Sequence, residues 1–95
     1  AQRLLALLGS DRKRIAALGR RAGTVSQVFD VLTRQVLATV PQLEKELHFS
    51  TPTIRDAIAS LSDLGIVNEL TGQRRNRVFA YQAYLEILNE GTTPL

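Results

Sequence analysis

The chain has 95 residues and a net charge of +3, with no cysteine, no methionine and one histidine, His48. That describes one small domain with a modest core, and it excludes disulfides, cysteine-based catalysis or metal binding, and a histidine-rich metal centre. No apolar run reaches the roughly 18 residues of a membrane span and no secretory signal leads the sequence, so the expected setting is cytoplasmic; with no methionine to start it, the chain reads as a piece of a longer protein.

Residues 1–22 read as a helix. Leu4, Leu7, Leu8, Ile15 and Leu18 fall on one stripe, with Arg12, Lys13 and Arg20 on the opposite side. Gly9, Ser10 and Asp11 weaken its middle, which fits either one bent helix or two short ones. The start is more apolar than a small domain needs, so Leu4, Leu5, Leu7 and Leu8 are candidate docking or dimerisation residues. Gly23 breaks the pattern and Thr24 opens a second helix, with Gln27 at the spacing of a capping box. Val25, Val28, Phe29, Leu32 and Val36 form its core-facing stripe.

Leu37 and Ala38 read as a short extended link or a small first strand. Thr39 then caps a third helix running to Leu47, with Pro41 in its first turn and Gln42 at the capping-box position. His48 stands where a positive φ is expected, and Phe49 should plug the core. Ser50 caps a fourth helix from Thr51 to Leu64, whose buried face is Ile54, Ala57, Ile58, Leu61 and Leu64 and whose stop is Gly65. Two strand-like runs follow, Ile66–Thr71 and Arg77–Tyr81, around a tip of Gly72, Gln73, Arg74, Arg75 and Asn76. Ile66 and Leu70 should point inward; the alternation of Val78, Phe79, Ala80 and Tyr81 leaves the buried face of the second strand open. A last helix over 82–89 brings Tyr84, Leu85 and Leu88 onto the domain, and the residues from Glu90 on read as a tail.

The order is that of a winged helix-turn-helix. The expected fold is therefore mostly α with a small β-hairpin: an N-terminal linker helix over 1–22, a winged-helix domain over 23–91 and a disordered tail over 92–95. Residues 1–35 carry seven bases against two acids, a net +5, whereas residues 36–72 carry two against five, a net −3. The face of the fourth helix opposite its core stripe holds Pro52, Asp56, Ala59 and Asp63, with Arg55 to one side, and two aspartates are a poor head for reading bases between phosphates. The wing argues the other way. Arg74, Arg75 and Arg77, with Gln73 and Asn76, suit phosphate contact or a narrow minor groove. Candidate nucleic-acid-binding residues are thus Ser50, Thr51, Thr53, Arg55, Gln73, Arg74, Arg75, Asn76 and Arg77. No catalytic constellation is present: Glu44 and Glu46 point to different sides of their helix, and His48 has no nucleophile or metal partner nearby in sequence.

Segments 39–43, 50–54, 61–67 and above all 70–81, with its Thr-Gly-Gln-Arg-Arg-Asn-Arg-Val-Phe wing, resemble the C-terminal winged-helix region of bacterial Fic-family proteins. Residues 84–91 resemble the tail of that region, and residues 10–15 with Leu18 and Gly19 are similar to the helix joining it to the Fic domain. The resemblance implies a parent that transfers AMP from ATP to protein hydroxyls with magnesium, and a fragment that is non-catalytic and holds no cofactor. The family's His-Pro-Phe and Gly-Asn-Gly-Arg signatures are absent, and Glu90-Gly91 lacks the Ser or Thr of the inhibitory-helix signature, Glu86 standing in its place. The family's turn often has glycine where this chain has His48. Two functions follow as expectations. One is double-stranded DNA binding in transcriptional regulation, through the wing arginines and the fourth helix. The other is a regulatory or dimerisation module that docks on the Fic catalytic domain or forms a homodimer through the leucine face of the first helix.

Overall fold

A computed structural model describes residues 2–72 and 77–92. Five helices surround a small antiparallel sheet: α1 (Gln2–Ala16), α2 (Ala22–Gln35), β1 (Leu37–Thr39), α3 (Val40–Leu47), α4 (Thr51–Asp63), β2 (Val67–Glu69), β3 (Val78–Tyr81) and α5 (Gln82–Thr92), with a 3-10 turn at Gly19–Arg21 between α1 and α2. The fold is mostly helical, and the hairpin β2–β3 gains β1 as a third strand, in the order β1-β3-β2.

The helix starts show where local chemistry decides. The Thr39 side chain accepts from the Gln42 amide at 3.3 Å while the Gln42 side chain accepts from the Thr39 amide at 2.9 Å, the reciprocal capping box expected for α3. His48 ends α3 at φ 61°, ψ 33°, the left-handed turn that histidine tolerates better than a branched residue. Ser50 caps α4 through the Thr53 amide. Gly65 ends α4 at φ 75°, with the Gly65 amide donating to the Ser62 carbonyl and the Ile66 amide to the Leu61 carbonyl, a complete Schellman stop.

Several local expectations fail: among them, Val36 of the expected α2 stripe stays outside the core and Leu88 is 43% exposed. Thr24 does not open α2; it lies inside a helix that begins at Ala22, after Arg21, with no side-chain cap. The 3-10 turn leads into α2 through residues already in right-handed helical geometry, so no capping side chain marks the boundary. Leu70 does not point inward either and is 49% exposed. β2 stops at Glu69, whose carboxylate accepts from the Thr71 amide (2.6 Å), the Thr71 hydroxyl (2.5 Å) and the Gly72 amide (2.5 Å), turning the chain away from the core. Elsewhere, α1 runs through Gly9 without a break and ends at Ala16, six residues before the expected limit. α5 continues to Thr92, past the expected end near 89.

One core binds all of this together. Val25, Val28, Phe29, Leu32, Leu43, Ile54 and Leu61 are buried as the stripes imply, and Ile15 brings α1 into the same cluster. Register settles the second wing strand. Phe79 opposes Ala38 and Tyr81 opposes Val67, so Phe79 and Tyr81 face the main core, while Ala80 lies on the opposite face of the sheet between Leu37 and Asn68, where it is itself fully buried. Tyr81 is the hub: fully buried, its ring sits 5.2 Å from Phe29 and 5.6 Å from Tyr84, and its hydroxyl donates to Asp11 Oδ2 at 2.5 Å. Asp11, met in the sequence as a helix breaker, is therefore a buried acceptor, supported by Arg14 at 3.3 Å. Burial, followed by the hydrogen bond to Asp11 and its negative charge, pushes the Tyr81 phenol well above its usual range. Arg14 also donates to the Leu64 carbonyl, tying α1 to the last turn of α4. The strand side adds one irregularity: Val36 ends α2 at φ 68°, ψ −38°, a conformation costing a β-branched residue on the order of 1–3 kcal/mol, and its carbonyl accepts from the Tyr81 amide at 2.9 Å.

Candidate nucleic-acid interface

The pairing around α4 begins with three hydroxyls that its first turn needs. Ser50 Oγ lies 2.9 Å from Thr53 Oγ1, and Thr51 donates to Glu44 Oε1 at 2.5 Å. These three candidate contact residues are thus engaged in starting α4 and fixing it against α3. Arg55 is exposed, as are Pro52, Asp56, Ala59 and Asp63, so the outward face holds the residues the periodicity assigns to it.

A groove runs between α4 and the wing. Arg55, Ile58 and Ala59 line one wall, Arg77 and Phe79 of the wing the other, and Val40 and Glu44 of α3 close the end. Two guanidinium groups and one carboxylate share this groove. Glu69 shapes the wing beside it: the Thr71 hydroxyl first, then the Gly72 and Thr71 amides and the Arg77 charge, hold its carboxyl below the usual range against the opposing effect of burial. Of the remaining wing candidates, Gln73, Arg74, Arg75 and Asn76 lie outside the described residues.

A second groove lies on the other side of α4, between Pro52, Thr53 and Asp56 and the arginines of the 3-10 turn, Arg20 and Arg21. Neither arginine was a site candidate from sequence, where both belonged to the basic first segment. The structure divides that segment's charge. Arg3 pairs with Glu90, Arg12 with Asp30 (2.8 Å), Arg14 with Asp11 (3.3 Å) and Arg34 with Glu46 (3.1 Å). Arg12 also lies 5.0 Å over the Phe29 ring. Among the described residues, no carboxylate lies within ion-pair distance of Arg20, Arg21 or Arg55. Among the arginines of residues 1–35 the two without a carboxylate partner thus lie beside α4, while α1 keeps one such cation, Lys13.

The docking candidates separate as well. Leu7 and Leu8 pack on the domain's own core, Leu4 is half-buried, and Leu5 is 69% exposed. Among the described residues, no cluster of three or more His, Cys, Asp or Glu could hold a metal ion, and no helix is long and apolar enough to cross a membrane. Compared with protein-family models, with curated proteins and with solved structures, the chain gives no match in any of the three.

Proposed function

We propose that this chain is a winged-helix domain of a Fic-type protein and that it binds double-stranded DNA, with α4 directed at the major groove and the wing on the adjoining phosphates. The observation that carries this reading is the groove between α4 and β3, where Arg55 and Arg77 face one cleft from two elements. A phosphate backbone lying along that cleft would meet a guanidinium from each wall, and arginine's planar fork matches phosphate oxygens in pairs. Asp56 and Asp63 on the exposed ridge weigh against tight base reading, so the affinity rests on backbone charge and is only weakly sequence-dependent. On this reading the domain is non-catalytic and cytoplasmic and serves transcriptional regulation. AMP transfer, with its ATP and magnesium, belongs to a catalytic part of the parent whose signatures this chain lacks.

The test is a polarisation titration of the chain on a labelled duplex of about 30 base pairs, with Arg74, Arg75 and Arg77 replaced together by alanine as the comparison. Three lost phosphate contacts should flatten the slope of log K against log salt by about 2.7, at roughly 0.9 per contact. A triple variant that binds like the parent chain removes the wing from the interface.

A second reading, docking on the Fic catalytic domain or on a second copy, draws on the exposure of Leu5 beside half-buried Leu4. It requires Leu4→Gln with Leu5→Gln to abolish that association; the variant leaves Leu7 and Leu8 in the core. A chain that stays monomeric and ignores the catalytic domain in both forms ends this reading.

A further inference from the structure

We propose that Arg20 and Arg21 form a second phosphate-binding shoulder, across α4 from the wing, so that the domain grips both strands bordering the groove that α4 enters. The inference rests on the DNA-binding reading and adds to it a contact site in a segment outside the helix-turn-helix and the wing.

Position around α4 is the first argument. At 100° per residue, the α4 residues lining the wing groove centre roughly 150° from those lining the Arg20–Arg21 groove. The exposed ridge of Pro52, Asp56, Ala59 and Asp63 falls between the two, and the core stripe of Ile54 and Leu61 lies opposite the ridge. A helix with its side chains is about 10–12 Å across and the major groove about 12 Å wide. A helix seated ridge-first in that groove therefore brings its two flanks to two different phosphate backbones. The wing supplies arginine on one flank; the 3-10 turn supplies it on the other.

Charge is the second argument. The competing reading is a solvated arginine pair, and what separates the two is how this chain treats the other arginines of residues 1–35. Arg3, Arg12, Arg14 and Arg34 each have a carboxylate partner. Arg21 instead donates to the hydroxyl of buried Ser60 at 3.3 Å, which holds the guanidinium against α4 without neutralising it and leaves other N–H donors for a ligand. Arg20 is exposed and has no partner among the described residues. Asp56 is the one acid lining this groove, so two positive charges face one negative, the same balance as in the wing groove.

The experiment uses the same chain and labelled duplex, with Arg20→Gln, the double variant Arg20→Gln/Arg21→Gln and, as a charge control, Lys13→Gln. Lys13 is exposed on α1 and lines neither groove. The expected result is a salt slope flatter by about 0.9 for Arg20→Gln and by about 1.8 for the double variant, with binding weakened roughly 30-fold for the double at 0.15 M salt. Lys13→Gln should move the slope by less than half as much as Arg20→Gln. Thermal melting checks the double variant, which loses the Arg21 donor to Ser60; Arg20→Gln breaks no contact and stands by itself. If Arg20→Gln binds with the parent slope, or matches Lys13→Gln, while the wing triple variant still loses affinity, the shoulder is wrong and the DNA reading survives. A parent chain that binds no duplex at low salt overturns both.

Discussion

The side of the molecule where α1 meets the sheet and the side where α4 meets solvent carry similar residues and treat them in opposite ways. On the first, charge is consumed internally: Asp11 is buried between Tyr81 and Arg14, and Arg12 is held by Asp30 and the Phe29 ring. On the second, Arg20, Arg21 and Arg55 keep their charge beside exposed Asp56 and Asp63. A count of bases along the chain puts the positive charge on the first segment; pairing occupies four of its arginines and leaves Arg20 and Arg21 beside α4 and Lys13 on α1. The α1 side should therefore answer to mutation in stability and the α4 side in binding.

The largest effect expected from this contrast comes from Tyr81→Phe. The substitution leaves the buried Asp11 carboxylate without its hydroxyl donor, at a cost of about 2 kcal/mol for a hydrogen bond to a charged group. For a domain of this size that lowers Tm by roughly 8–16 °C, measurable by circular dichroism, while the salt slope of DNA binding at lower temperature stays unchanged. A fall of less than a few degrees would mean that Asp11 is not the internal partner described.

The same pair predicts an alkaline limit. Because Tyr81 titrates above its usual value when folded, the unfolded phenol loses its proton near pH 10 while the folded one keeps it. The unfolded state then binds fewer protons, so this contribution is complete below about pH 10 and is lost as pH rises, at up to about 1.4 kcal/mol per unit. Denaturant unfolding at pH 9, 10 and 11 should show the decline in the parent chain and a shallower one in Tyr81→Phe. Equal slopes would contradict it.

On the α4 side, Asp56→Asn with Asp63→Asn removes two exposed carboxylates from the ridge. Affinity for duplex DNA should rise, by roughly fivefold near physiological salt if their removal is worth about one phosphate contact, with Tm moving by no more than a few degrees. Unchanged affinity would place the ridge away from the duplex. The smallest expected effect belongs to Gly9→Ala. Gly9 is inside α1 with open space around its Cα, so alanine should stabilise by about 0.5–1 kcal/mol and leave binding alone.

Much of the frame was legible in the sequence because it is fixed by neighbouring residues. The capping box at Thr39, the positive φ at His48, the cap at Ser50 and the stop at Gly65 each depend on a few adjacent positions, and all four stand. The missed features depend on partners far along the chain. Asp11 finds Tyr81 seventy positions away, Ala38 and Phe79 choose the sheet face together, and Arg21 finds Ser60 across 39 positions. Leu70 looked like an inward strand residue until the Glu69 carboxylate took the turn's amides. Of the candidate interface, the exposed ridge of α4 was legible from helical periodicity. The Arg20–Arg21 groove was not, since nothing local separates a paired arginine from an unpaired one.

The decisive experiment titrates the chain against a labelled duplex from low to physiological salt. With Arg20, Arg21, Arg55 and the three wing arginines Arg74, Arg75 and Arg77 on phosphates, the slope of log K against log salt should be about −5.4, at roughly 0.9 per contact. Absence of binding at the lowest salt, or a slope near zero, would contradict it and leave a protein surface as the partner of this face.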